Sequence, residues 1–238
     1  MAAPTLIAFA EVEGNATSSV PVTTASISWQ TNDVVVVVVG NEGNGTTTLG
    51  MSNTGTGLSF GTAQQIHQST GTDGGAGCWA AVATANSSGT FSGTTSGANQ
   101  RTVIGAYVFR GSAGIGNSVL YTGVSPTGAS LTPTGADGSI VWIVIDWATA
   151  AATAASPTAT SHNASTPGPS ASPVAVQQSP NYTYYVAELD DQTSAGAVSY
   201  GITGSGTGPF TIIAIETKSS GGTSVTVIPP ARVDVLIA

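Results

Sequence analysis

The stretch Asp33-Val34-Val35-Val36-Val37-Val38-Val39-Gly40-Asn41 decides the fold class. Six consecutive β-branched residues restrict χ1 and favour extended backbone, so residues 34–39 read as a strand that Gly40-Asn41 closes. A second wholly apolar run, Ile140 to Ile145, lies further along the chain. Neither run alternates apolar with polar, as a strand with one wet face does. Each therefore has an outer row, Val35, Val37 and Val39 in the first, that needs cover. Burying a Val or Ile side chain contributes about 1.5–3 kcal/mol, so covering such a row is worth roughly 5 kcal/mol. Either a long loop of the chain or a neighbouring subunit supplies that cover.

Working outward, further strands are expected at Leu6–Phe9, Ser26–Trp29, Leu58–Phe60, Cys78–Thr84, Thr102–Phe109 and Ser118–Tyr121. The second half offers Ile140–Trp147, Val174–Gln177, Thr183–Leu189, Phe210–Thr217, Ser224–Ile228 and Val233–Ile237. Clusters of Gly, Asn, Asp, Ser and Pro punctuate nearly all of them, the spacing of a sandwich or barrel. Ala148–Ala155 alone has helix-forming composition. A faint duplication is visible: Val34–Val39, Trp79–Thr84 and Thr102–Gly111 match Ile140–Trp147, Tyr184–Leu189 and Phe210–Lys218 in kind and order. Two such halves, each giving four strands, make one eight-stranded jelly roll. The expected architecture is an all-β, antiparallel, two-sheet sandwich over residues 1–218. A crossover at 148–173, rich in Ala, Thr, Ser and Pro, lies inside it. Ser219-Ser220-Gly221-Gly222 then reads as a hinge to an extended C-terminal arm, residues 219–238.

The charge balance narrows the function. Among 238 residues four are Lys or Arg and 12 are Asp or Glu, a net charge of -8, and 7% are charged. An ordinary soluble domain carries about 25%. Clustered Lys and Arg are what a phosphate-tracking surface needs, so nucleic acid is not an expected partner. Lysine is also the usual guard of an exposed strand edge, and its scarcity favours neighbouring subunits as the cover for the valines. No apolar run reaches the roughly 20 residues of a membrane span, and no secretory signal stands out at Met1 to Ala10. Cys78 is single, so it has no internal disulfide partner and reads as a buried thiol.

Catalytic constellations are sparse. His67 and His162 have no Cys, Asp or Glu at metal-ligand spacing. Gly57-Leu58-Ser59-Phe60-Gly61 has the letters of a nucleophile elbow but lacks the following helix. Glu188, Asp190 and Asp191 form the densest acidic cluster and read as a solvated strand end. The Gly-rich segments precede no helix and contain no Gly-Lys pair, so they are not phosphate loops. Trp29, Trp79, Trp142 and Trp147 sit in expected strands and read as core. Tyr182, Tyr184 and Tyr185 are the better surface candidates for glycan contact. No enzyme activity, cofactor or metal is expected.

Asp33 to Gly45, Trp79 to Ala83, Ile104 to Gly111, Ala136 to Val141, Asp190 to Gly196 and Pro209 to Glu216 together resemble a jelly-roll module of tailed-phage virion proteins. Such modules occur in minor tail proteins, tail fibres and head decoration proteins, especially of phages infecting actinobacteria. The resemblance covers about residues 5–218 and implies a virion structural role. It transfers no catalytic residues. The expectation is a small minor tail or tail-tip component in the virion, with a head decoration protein as the near alternative. Its partners would be itself, as a homotrimer, and other virion proteins. Val35, Val37 and Val39 would form the assembly interface, with Val233, Val235 and Ile237 in an arm that docks by strand addition. The reading from another class is a module that binds host cell-wall carbohydrate.

Overall fold

The computed structural model describes residues 3–16, 20–41, 46–70, 73–96, 100–125, 128–146, 158–159, 174–179, 182–189, 196–200, 202–203 and 209–220. Backbone alone is described at 15, 100, 146, 158–159, 174–179, 182–189 and 202–203. The protein is all-β and its described strand pairs are antiparallel. The expected segments at Ala148–Ala155, Ser224–Ile228 and Val233–Ile237 lie outside the described residues.

The duplication is the organising principle. Residues up to Arg110 build a five-stranded sheet in the order Thr5–Ala16, Gln100–Arg110, Val34–Asn41, Gly75–Val82, Gln65–His67. Residues from Ser112 onward build a second, in the order Ser112–Gly123, Phe210–Ser219, Ser139–Asp146, Tyr182–Leu189, Val174–Ser179. When Val22–Thr23 with Ile27–Trp29, Ser87–Gly89 with Phe91–Thr95, and Val198–Tyr200 with Ile202–Thr203 are each taken as one position, the order along each half is first, eighth, third, sixth, fifth. The second, seventh and fourth positions form small sheets outside. In the first half Phe91–Thr95 pairs with Val22–Thr23 and Leu49–Asn53, and Ile27–Trp29 pairs with Ser87–Gly89. In the second half Ala129–Leu131 pairs with Val198–Tyr200, and Thr158–Ala159 with Ile202–Thr203. Even the turns correspond. Asn32 (φ 72°) and Asp137 (φ 65°) each sit in the left-handed region two residues before the central strand of their half. Both residue types tolerate that region through local side-chain hydrogen bonds.

Each half thus has eight strand positions, where the sequence reading allotted four. The difference comes from short Gly/Ser/Thr strands such as Phe91–Thr95, whose composition resembles a loop. Leu58–Phe60, expected as a strand, is irregular, and Phe60 packs edge-on against Phe91 with ring centroids 6.2 Å apart.

The two large sheets pack face to face, with Ser139–Asp146 lying against Val34–Asn41. Val34, Val36 and Val38 meet Val141, Ile143, Ile145, Ile213 and Ile215 in the central core. Val35, Val37 and Val39 point the other way, into a core with Trp29, Trp79, Phe91 and Ile104 under the small sheets. A third core, around Trp142, Tyr200 and Phe210, fills the outer side of the second half. All six valines are fully buried. The valine strand is therefore covered on both faces from within the chain. This corrects the assignment of Val35, Val37 and Val39 to an interface between copies, because nothing of them reaches the surface. The cover sought from sister molecules comes from the second half on one face and from the small sheets on the other. Trp29, Trp79 and Trp142 are core residues, as expected.

The junction between halves is short. Arg110 ends one large sheet and Ser112 starts the other, with Gly111 (φ +73°) between them. Close approach of the sheets also requires small residues. A Cβ on Gly40 would lie 2.5 Å from Ile145 Cδ1 and 2.8 Å from Ile143 Cδ1, and one on Gly74 would overlap Ile145 Cγ2. Thr211 Oγ1 donates to the Gly74 carbonyl at 2.7 Å, a buried hydrogen bond from one half to the other.

Candidate functional site: an exposed edge strand

The side chains with chemical potential serve the framework. Cys78 is buried among the valines, and burial pushes its thiol up to about 12, so no thiolate forms near neutrality. His67, expected in a solvated stretch, is half-buried in a short strand, and its Nε2 lies 2.8 Å from Asp73 Oδ2. Asp73 is desolvated, which opposes ionisation, but the Thr70 amide and hydroxyl and His67 outweigh this and hold its carboxyl below the usual range. The pair closes the turn that delivers Gly74 to the sheet interface. Ser59 is exposed in a loop. Glu216 is buried and accepts from the Thr134 amide and hydroxyl and from the Asn117 amide, which ties a loop and the first strand of the second half to its last strand. Among the described residues no group of three or more His, Cys, Asp or Glu is placed to hold a metal ion. Nor is any helix there long and apolar enough to cross a membrane.

The surface is more informative than the interior. Thr5–Ala16 is a strand of 12 residues at the edge of the first large sheet, paired on one side with Gln100–Arg110. Ala8, Ala10 and Val12 reach the outer core beneath it. Ile7 sits at a register shift between Leu6 and Ala8, the position of a bulge. It is 38% exposed and Phe9 is 43% exposed, both uncommon for large apolar side chains in a well-covered sheet. The strand carries two acids, and its inner neighbour engages both. Tyr107 donates its hydroxyl to Glu11 Oε1 at 2.5 Å, and Arg101 Nη2 lies 3.1 Å from Glu13 Oε2. Burial raises the Glu11 carboxyl above its ordinary range, and the Tyr107 hydrogen bond partly offsets this.

An open cleft of about 390 Å3 adjoins the start of this strand, lined by Ile7, Ala8, Trp29, Gln30, Asn86 and Arg110 among others. Its polar wall is fixed. Arg110 donates Nε and Nη2 to the two carboxylate oxygens of buried Asp33 at 3.0 and 2.9 Å, and Asp33 also accepts the Gln30 amide. Asn86 Oδ1 accepts from the Thr31 amide and hydroxyl.

Of the residues singled out from sequence, Tyr184 pairs in backbone register with Ile145 and Tyr185 with Val144, so both lie on the fourth strand of the second large sheet. Tyr182 opens that strand. Glu188 pairs with Val141. Asp190, Asp191, His162, Val233, Val235 and Ile237 lie outside the described residues. From the sequence Leu6–Phe9 reads as a strand and Glu11 and Glu13 as an exposed strand face, and the structure joins them in one strand of 12 residues.

Compared with protein-family models, curated proteins and solved structures, the chain matches none.

Proposed function

We propose that this chain is a structural protein of a virion, a small minor tail or tail-tip component that assembles as a homo-oligomer. Head decoration is the variant within the same class. The observation that carries the reading is the Thr5–Ala16 edge, which no strand among the described residues pairs on its outer side, together with the exposed Ile7 and Phe9. Natural monomers blunt such edges with Lys or Pro, and neither occurs between Thr5 and Ala16. Two further features support an assembling part over a catalyst. The ionisable groups described above are tied into the framework, and the interior is three stacked apolar cores. The repeated strand order also supports reading each half as a jelly roll, the fold of many capsid proteins.

In this reading the valine strands are scaffold, and assembly runs through strand edges and the C-terminal arm. The test is a chain lacking residues 223–238. It should keep the circular dichroism and melting temperature of the full chain yet fail to enter particles. Normal incorporation would remove the docking arm from the reading.

A further inference from the structure

We infer that the cleft beside Ile7 binds a small organic carboxylate, gripped by the free edge of the Arg110 guanidinium. The inference goes beyond the assembly reading and does not rest on it. Arg110 shares the outer face of its strand with Val108 and Ile104, so its side chain leaves the sheet on the side of the cleft. A guanidinium carries five N–H donors in a rigid planar fork. Two of them, on Nε and Nη2, are taken by the Asp33 carboxylate at 3.0 and 2.9 Å. The Asp33 side chain is 3% exposed and is held in turn by the Gln30 backbone amide at 2.7 Å, which fixes the direction of the fork. The other edge, Nη1 with the outer hydrogen of Nη2, has no partner among the described residues, and the Arg110 side chain is 45% exposed. That edge matches a planar carboxylate through two parallel hydrogen bonds. Because Asp33 has already oriented it, little side-chain freedom is lost when a ligand arrives.

The neighbouring polar groups also donate. Asn86 Oδ1 accepts the Thr31 amide at 2.8 Å and its hydroxyl at 3.3 Å, which assigns the amide orientation and leaves Nδ2 as a donor. Neither that Nδ2 nor the side-chain amide of exposed Gln30 has a partner among the described residues. No acid lines the cleft there, so nothing in its wall calls for a cationic ligand. Ile7, Ala8 and Trp29 supply an apolar side, which suits a ligand with an apolar flank beside its charge. A volume of about 390 Å3 is at the small end of ligand sites, room for a ring-sized molecule. The Asp33 charge and the net charge of -8 oppose a phosphate dianion more than a singly charged carboxylate.

Two sources share this chemistry, a free apolar acid and an acidic sugar. The test follows the side-chain N–H signals of Arg110 and Asn86 by NMR while the full chain is titrated with cyclohexanecarboxylate, glucuronate, glucose and inorganic phosphate. Saturable shifts at both residues are expected with at least one carboxylate, at an affinity about tenfold above that for glucose or phosphate, the effect of one charge-assisted pair. A response to cyclohexanecarboxylate alone assigns the site to an apolar acid, and a response to glucuronate alone to an acidic sugar. Gln30→Glu, a nearly isosteric change at an exposed side chain, sets a competing carboxylate beside the free edge. It should weaken binding about tenfold at an unchanged melting temperature. Arg110→Lys keeps the charge but loses the fork, and should weaken binding as well. Glucose binding as tightly as glucuronate, phosphate binding more tightly than both carboxylates, or no saturable shift with either carboxylate would overturn the inference. So would unchanged binding in Gln30→Glu. Each of these results leaves the assembly reading standing, because none concerns entry into particles.

Discussion

Gly74→Ala is the sharpest probe of how the halves meet. The added Cβ would overlap Ile145 Cγ2 and lie 3.1 Å from the Asn41 carbonyl oxygen. Neither can retreat easily, because Cγ2 branches directly from Cβ and the carbonyl belongs to a paired strand. Ile145 is fully buried, with its neighbours at close-packed density. Overpacking of this kind typically costs about 1–3 kcal/mol, and at roughly 2–4 °C per kcal/mol for a chain of this size the midpoint should fall by about 2–12 °C. Ile145→Ala alone should cost about 2–5 kcal/mol by leaving a cavity. In that background the obstruction is gone, so Gly74→Ala should add less than about 0.5 kcal/mol, and the pair should couple favourably by more than about 1 kcal/mol. Urea unfolding of the four proteins measures the cycle. Equal costs for Gly74→Ala in both backgrounds would refute the claim that Ile145 and Gly74 set the spacing of the sheets.

Thr211→Val should destabilise by about 1–3 kcal/mol, because the buried Gly74 carbonyl loses its donor; Thr211→Ser should recover most of this in the same urea titration. Two acids should act oppositely on stability. Asp73, with its folded carboxyl lowered, contributes stability above its unfolded value that is lost as pH falls through the folded one. Glu11, with its carboxyl raised, contributes stability that is full below its unfolded value of 4.5 and lost as pH rises through the folded one. Melting curves between pH 3 and 7 on Asp73→Asn and Glu11→Gln should each show the corresponding slope flattened. Cys78 should react with a thiol reagent only once the protein is unfolded, and labelling of the native chain at the unfolded rate would contradict its burial.

The strongest strands were legible because their side chains leave the backbone little choice: Val34–Asn41, Ser139–Asp146 and Phe210–Ser219 are long apolar runs. Their lack of alternation correctly signalled burial on both faces. What covered them was misread, because the two most apolar segments were treated as separate problems when each is the other's solution. Val36 and Ile143 share the central core only once the chain has repeated its topology, and no local rule reports that. The thin outer strands escaped for a different reason. Phe91-Ser92-Gly93-Thr94-Thr95 has one large apolar residue, and its strand state is imposed by flanking partners and by Phe91 filling the core. The edge strand was half legible. Glu11 and Glu13 in a sequence suggest solvent, whereas here Tyr107 and Arg101 hold them against the sheet.

The pairing of each half's first strand with its last has a consequence for how the protein is made. Thr5–Ala16 waits for Gln100–Arg110, and Ser112–Gly123 waits for Phe210–Ser219. At about 5–20 residues per second, the ribosome needs roughly another 5–20 s after the first half is complete to deliver the strand that closes the second. Through that interval Val34, Val36 and Val38 form a bare greasy plate on a nascent chain. Fast codons in that stretch of the message, or a chaperone waiting on the nascent chain, would protect the yield of soluble protein more than any change to the finished surface.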